Sequence, residues 1–146
     1  MTGTPQVQSI RMRAVQAAEP RAPFQPATKI VPGPSQVRVR VHACGVCAGD
    51  GLARYGAMGV KLPRVPGQEI AGTIDAVGSG VSAWKVGQRV GVGWHGGYCS
   101  RCDSCRAGDF TNCANTLITG LSFDGGYAEY TVVPQEALAR IPDALS

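Results

Sequence analysis

Val37-Arg38-Val39-Arg40-Val41-His42-Ala43 alternates apolar and polar residues without interruption, the period of a β-strand with one face buried. The same reading predicts strands over Ile10–Val15, Ile70–Val77, a glycine-rich Gln88–Trp94 and Tyr127–Val133, the last closed by Pro134. Residues 18–36 carry Pro20, Pro23, Pro26, Pro32 and Pro34 and read as turns with short extended pieces. A short helix is expected over Asp50–Arg54, with Gly56 and Gly59 ending it. Residues 1–9 read as a flexible tail and 10–146 as one domain. Several short strands, irregular loops and almost no helix predict a mostly β fold, a small barrel or sandwich. Ile141–Ser146 reads as a linker leading into a helix, so a domain boundary is expected there.

Composition narrows the classes. Twenty glycines and ten prolines in 146 residues fit many tight turns, and 44% apolar with 16% charged residues describes a soluble globular domain. The net charge of +4 is mild. Arg11, Arg13, Arg38, Arg40, Lys85 and Arg89 are dispersed along strands and read as solvated faces, not as a nucleic-acid stripe. No run approaches the roughly 18 apolar residues of a membrane helix, and residues 1–9 lack a secretory apolar region. The expectation is a cytoplasmic protein, in which six cysteines read first as metal ligands and only then as disulfides.

Four of those cysteines, Cys99-x2-Cys102-x2-Cys105-x7-Cys113, fall within fifteen residues on one loop. Zinc takes four tetrahedral thiolates, and a closed shell of this kind leaves no place for water or substrate, so the expected site is structural. Gly96, Gly97 and Gly108 give the loop room to wrap. Cys44-x2-Cys47 has the redox CxxC spacing, but no crossover helix or parallel strand follows it, and Cys44 reads as a small buried residue. Gly78-Ser79-Gly80-Val81-Ser82-Ala83 matches a dinucleotide fingerprint on paper, yet Trp84-Lys85-Val86-Gly87 cannot continue it as a helix, so a hairpin loop is expected. The chain therefore offers no nucleotide site.

The cysteine spacing resembles the structural-zinc lobe of the zinc-dependent medium-chain alcohol dehydrogenases. Four more segments resemble that family in order: Cys44-Gly45-Val46-Cys47-Ala48-Gly49-Asp50, Val65-Pro66-Gly67-Gln68-Glu69-Ile70-Ala71-Gly72, Val86-Gly87-Gln88-Arg89-Val90 and Gly125-Gly126-Tyr127-Ala128-Glu129-Tyr130. The resemblance implies a GroES-like β-barrel with a structural-zinc loop, whose Rossmann domain for NAD(P) lies outside this chain. It also implies a small alcohol or aldehyde as substrate, no nucleic-acid or membrane partner, and a homo-oligomer as one option for the full-length protein.

By the same resemblance, Cys47 corresponds to a ligand of a second, catalytic zinc, Glu69 to the acid beside that metal, and Asp50 to a carboxylate orienting a ligand histidine. Trp94 corresponds to an aromatic of the alcohol pocket, with a core tryptophan as the alternative. Zinc there would acidify a bound alcohol so that the alkoxide releases hydride. Two residues depart from the pattern. Gln68 stands where the family has its ligand histidine, and Gly49 where it has the Thr or Ser that begins a proton relay. Cys47, Gln68 and Glu69 thus remain as candidate ligands, and three outcomes stay open: Glu69 as the charged ligand, weak zinc, or none. His42 reads as structural, His95 as a candidate for proton traffic, Trp84 as packing, and Tyr55 and Met58 as residues within reach of a pocket. A zinc-stabilised module with a degenerate site is the alternative to a dehydrogenase half, which alone would be inactive.

Overall fold

The computed structural model describes residues 10–28, 33 and 35–145, so the expected tail over 1–9 lies outside the described residues. The chain forms β1 (Ala14–Gln16), β2 (Gln25–Ala27), β3 (Gln36–Cys44), α1 (Asp50–Tyr55), β4 (Ile70–Val77) and β5 (Arg89–Val92). It continues through β6 (His95–Gly97), α2 (Asp103–Arg106), β7 (Leu117–Ile118), β8 (Tyr130–Pro134) and β9 (Leu138–Arg140). Five strands in the order β8-β3-β4-β5-β9 make one antiparallel sheet curled into a half-barrel, and β1-β2 and β6-β7 are separate pairs. The mostly β reading holds.

The alternation in β4 translates directly: Ile70, Gly72, Ile74 and Ala76 are buried and the residues between them half-buried. Val37, Val39, Ile70, Ile74, Val90, Val92 and Val133 form the core, against which Val41, Cys44 and Trp84 pack. Trp84 is the packing residue expected, and its Nε1–H donates to Gln135 O at 3.1 Å. Gly78–Ala83 is the loop between antiparallel β4 and β5, as its sequence suggested.

Several boundaries differ from expectation. The first strand starts at Ala14, because the Arg13 N–H is taken by the Glu129 carboxylate at 2.8 Å. The stretch expected as Gln88–Trp94 splits after Val92, and His95–Gly97 pairs with β7 instead. The last expected strand starts only at Tyr130, because residues 125–127 are engaged elsewhere. Gly125, Gly126 and Tyr127 donate their N–H groups to Val65 O, Gly67 O and Pro66 O at 2.7, 2.9 and 3.0 Å. Arg38 is also not on a solvated face. It is buried, pairs with Asp75, and lies 5.8 Å from the Tyr130 ring centroid. At the far end, Leu145 N–H closes one turn on Pro142 O at 3.1 Å. No helix among the described residues is long and apolar enough to cross a membrane.

Candidate metal centre and the Cys47 loop

The lobe between β6 and β7 brings the four cysteines together. Their sulfurs all lie within 4.8 Å of one another, none is in a disulfide, and Cys105 and Cys113 are buried. Cys102 Sγ and Cys113 Sγ stand 3.9 Å apart. A tetrahedron with Zn–S bonds of about 2.3 Å has edges of about 3.8 Å, so this spacing fits a zinc shell and is far too long for a disulfide. Cys99 N–H and Asn115 N–H both donate to Cys113 Sγ at 3.3 Å.

The thiols are electrostatically unequal. Backbone N–H groups of Arg101 and Cys102 hold Cys99 down to about 6, and those of Cys105 and Ala114 lower Cys102. Burial, reinforced by its neighbouring thiols, pushes Cys105 up to about 12. Four sulfurs this close cannot all be anionic without a cation, and a divalent metal at their centre would remove that conflict by displacing the last protons. Among the described residues no other group of three such donors converges.

His95 belongs to this lobe. Its Nε2 lies 3.2 Å from Phe110 O and 3.4 Å from Thr116 Oγ1, which makes it a pin between β6 and the cysteine loop. His42 is exposed on β3.

The Cys47 loop is arranged differently. Here β3 ends at Cys44, whose thiol burial raises above its ordinary range, and the chain turns through Cys47 into α1. Asp50 opens that helix and is only 7% exposed. It accepts Cys47 N–H at 2.9 Å, Gly67 N–H at 3.0 Å and the Tyr127 hydroxyl at 2.7 Å. It thus orients no imidazole; it ties two loops and the entry to β8 into one block. Tyr127 lies in the Gly125–Tyr130 motif, but its 77-residue separation from Asp50 leaves no local signal of this contact in the sequence.

Gln68 is 5% exposed and donates Nε2–H to Cys47 Sγ at 3.0 Å, while Gly49 N–H donates to the same sulfur at 3.3 Å. Glu69 is exposed, and its carboxylate covers the open side of Gly45, where a Cβ would sit 2.2 Å from Glu69 Oε2. Cys47, Asp50 and Glu69 therefore do not converge, and the amide presents hydrogen, not a lone pair, to the sulfur. These donors do not fit a zinc ion. Beside the loop a groove of about 180 Å3 is lined by Phe24, Val46, Asp50, Arg54, Tyr55 and Tyr127. Tyr55 reaches it; Met58, 66% exposed, and Trp94, 42% exposed, do not line it.

A half-barrel carrying a four-cysteine lobe beside a Cys-Gly-Val-Cys turn defines a recognisable class of domain. Residues 33–143 match the alcohol dehydrogenase GroES-like domain, and the chain belongs to that family. It is 47% identical over 114 residues to the alcohol dehydrogenase patD of Aspergillus clavatus, covering 78% of this chain and 29% of that protein. It is 46% identical over 113 residues to an alcohol dehydrogenase of Geobacillus stearothermophilus, covering 76% and 34%. Among solved structures, a thermostable alcohol dehydrogenase from Pyrobaculum aerophilum superposes with a TM-score of 0.83 at 32% identity, covering 93% and 42%. The chain spans about a third of the length of these curated relatives.

Proposed function

We propose that this chain is the catalytic-domain portion of an alcohol dehydrogenase that interconverts alcohols and aldehydes by hydride transfer with NAD(P). The observation that carries the reading is the family match over residues 33–143, shared with proteins named as alcohol dehydrogenases. Within this portion Cys99, Cys102, Cys105 and Cys113 would hold one structural zinc, which supplies folding energy to a loop with few apolar residues of its own. Asp50 and Tyr127 brace the Cys47 loop, and the adjoining groove would receive the substrate. The nicotinamide would be held by a domain outside this chain, so the chain alone is inactive. No step is assigned to a metal at Cys47, because its neighbours do not make a donor set.

A second reading, a zinc-stabilised module with a degenerate reactive loop, is favoured by the Gln68–Cys47 hydrogen bond. Alcohol-dependent NAD(P) reduction by a protein extending this chain into a nicotinamide-binding domain separates the two. Turnover by the extended protein, with none by this chain, supports the dehydrogenase reading. An extended protein that binds NAD(P) yet turns over no alcohol or aldehyde supports the module.

A further inference from the structure

We propose that Gly49 and Gln68 form one steric unit: the absent Cβ at 49 opens the volume that the Gln68 amide fills, and the amide there engages the Cys47 thiol in place of a metal ion. This stands on the packing around Cys47 and goes beyond the dehydrogenase reading.

Backbone conformation does not demand glycine at 49. Its φ of −60° and ψ of −27° are right-handed helical values open to any L-residue. The Gln68 amide, in its present position, does demand it. A Cβ on Gly49 would lie 2.3 Å from Gln68 Nε2, and 3.3 Å from both Gln68 Cδ and Cys47 Sγ. The first distance is far inside van der Waals contact, and the atom it meets is the one that donates to Cys47 at 3.0 Å. Gln68 is 5% exposed, so an amide pushed aside by a side chain at 49 loses the sulfur partner while staying largely out of water.

Two residues that look like independent departures in the sequence are therefore a single change. With Gln68 in this position, a Ser or Thr at 49 would overlap the amide. With a larger residue at 49, the amide cannot hold this rotamer. The sulfur accepts two neutral N–H donors, from Gln68 and Gly49, and neither donor offers a lone pair to a cation.

The test is a double-mutant cycle on the zinc-loaded chain, read as the thermal midpoint, with Gly49→Ala and Gln68→Ala separately and together. In the wild-type background Gly49→Ala is expected to lower the midpoint. In the Gln68→Ala background the same change is expected to raise it by about 2 °C, since alanine at helical dihedrals restricts the unfolded chain. A shift of equal sign and size in both backgrounds overturns the steric unit. Should Gln68→Ala fail to fold, the alkylation rate of Cys47 by iodoacetamide, mapped by mass spectrometry, serves instead. Gly49→Ala is expected to slow it several-fold, because the sulfur loses its amide donor and gains a methyl 3.3 Å away; an unchanged or faster rate overturns the proposal. Elemental analysis of the wild-type chain is expected to give one zinc; a second equivalent that disappears in Cys47→Ser overturns the claim that the amide replaces a metal. None of these measurements involves turnover, so their failure leaves the dehydrogenase reading untouched.

Discussion

The hydroxyl of Tyr127 donates to Asp50 Oδ2 at 2.7 Å, joining the entry to β8 to the first turn of α1. Asp50 is buried and fully engaged, so Tyr127→Phe leaves its carboxylate one donor short. The expected cost is about 1–2 kcal/mol in a denaturant melt, and Asp50→Asn should cost more because both loop N–H groups lose an anionic acceptor. Burial, with the Asp50 contact adding to it, raises the Tyr127 hydroxyl above the ordinary tyrosine range. A raised folded value means that this stabilisation is complete below the unfolded tyrosine pKa and is lost as pH climbs through the folded one. An ultraviolet titration should therefore show a late-ionising tyrosine that disappears in Tyr127→Phe.

Chelation should open the cysteine lobe before the barrel. Arg101 and Arg106 are exposed within it, and a metal on the four cysteines would hold the loop that carries them. Trypsin with a strong chelator is expected to cut after these arginines while the five-stranded sheet remains protected; Cys105→Ala should be cut the same way without chelator. Cleavage that ignores both treatments would remove the metal from the account of this loop.

The buried guanidinium of Arg38 makes β3 asymmetric. Asp75→Asn removes one charged partner of a cation that stays inside, whereas Arg38→Met replaces the group with apolar bulk. The expectation is a loss of about 2 kcal/mol for Asp75→Asn, reduced from the fully buried case because Asp75 is partly solvated, and a smaller loss for Arg38→Met. Equal losses in urea melts would contradict this.

At the surface, Arg13 lowers the Glu129 pKa, chiefly through its backbone N–H and then through its guanidinium. A depressed folded value contributes stability above the unfolded glutamate pKa that is lost as pH falls through the folded value. Glu129→Gln should therefore narrow the gap to wild type on acidification, with little salt-resistant contribution at neutral pH.

Much of this architecture was readable from the chain. Ile70–Val77 declared its buried face by alternation, and the cysteine spacing declared its lobe, because both signals are local. The Arg38 assignment failed for an instructive reason. A polar residue at an alternating position reads as solvent-facing unless its partner is known, and Asp75 sits 37 residues away on the neighbouring strand. The Cys47 loop was half readable. Gln68 and Gly49 were visible as departures, but their mutual fit depends on a rotamer and a missing Cβ, which no spacing rule encodes.

The crossing of residues 65–67 beneath 125–127 has a consequence for how this sequence can vary. A Cβ at Gly125 would lie 2.1 Å from Gly67 O, at Gly67 2.8 Å from the Tyr127 ring, and at Gly126 2.4 Å from Ile70 Cγ1. At Gly125 and Gly67 a methyl meets the opposite main chain, Gly67 O in the first case and Tyr127 N at 2.9 Å in the second, whereas at Gly126 it meets the Ile70 and Cys44 side chains. A library randomised at Gly125 and Gly67 and sorted only for folded protein, with no demand for activity, would return glycine at both. What looks like a functional signature is in this respect a clearance between two main chains.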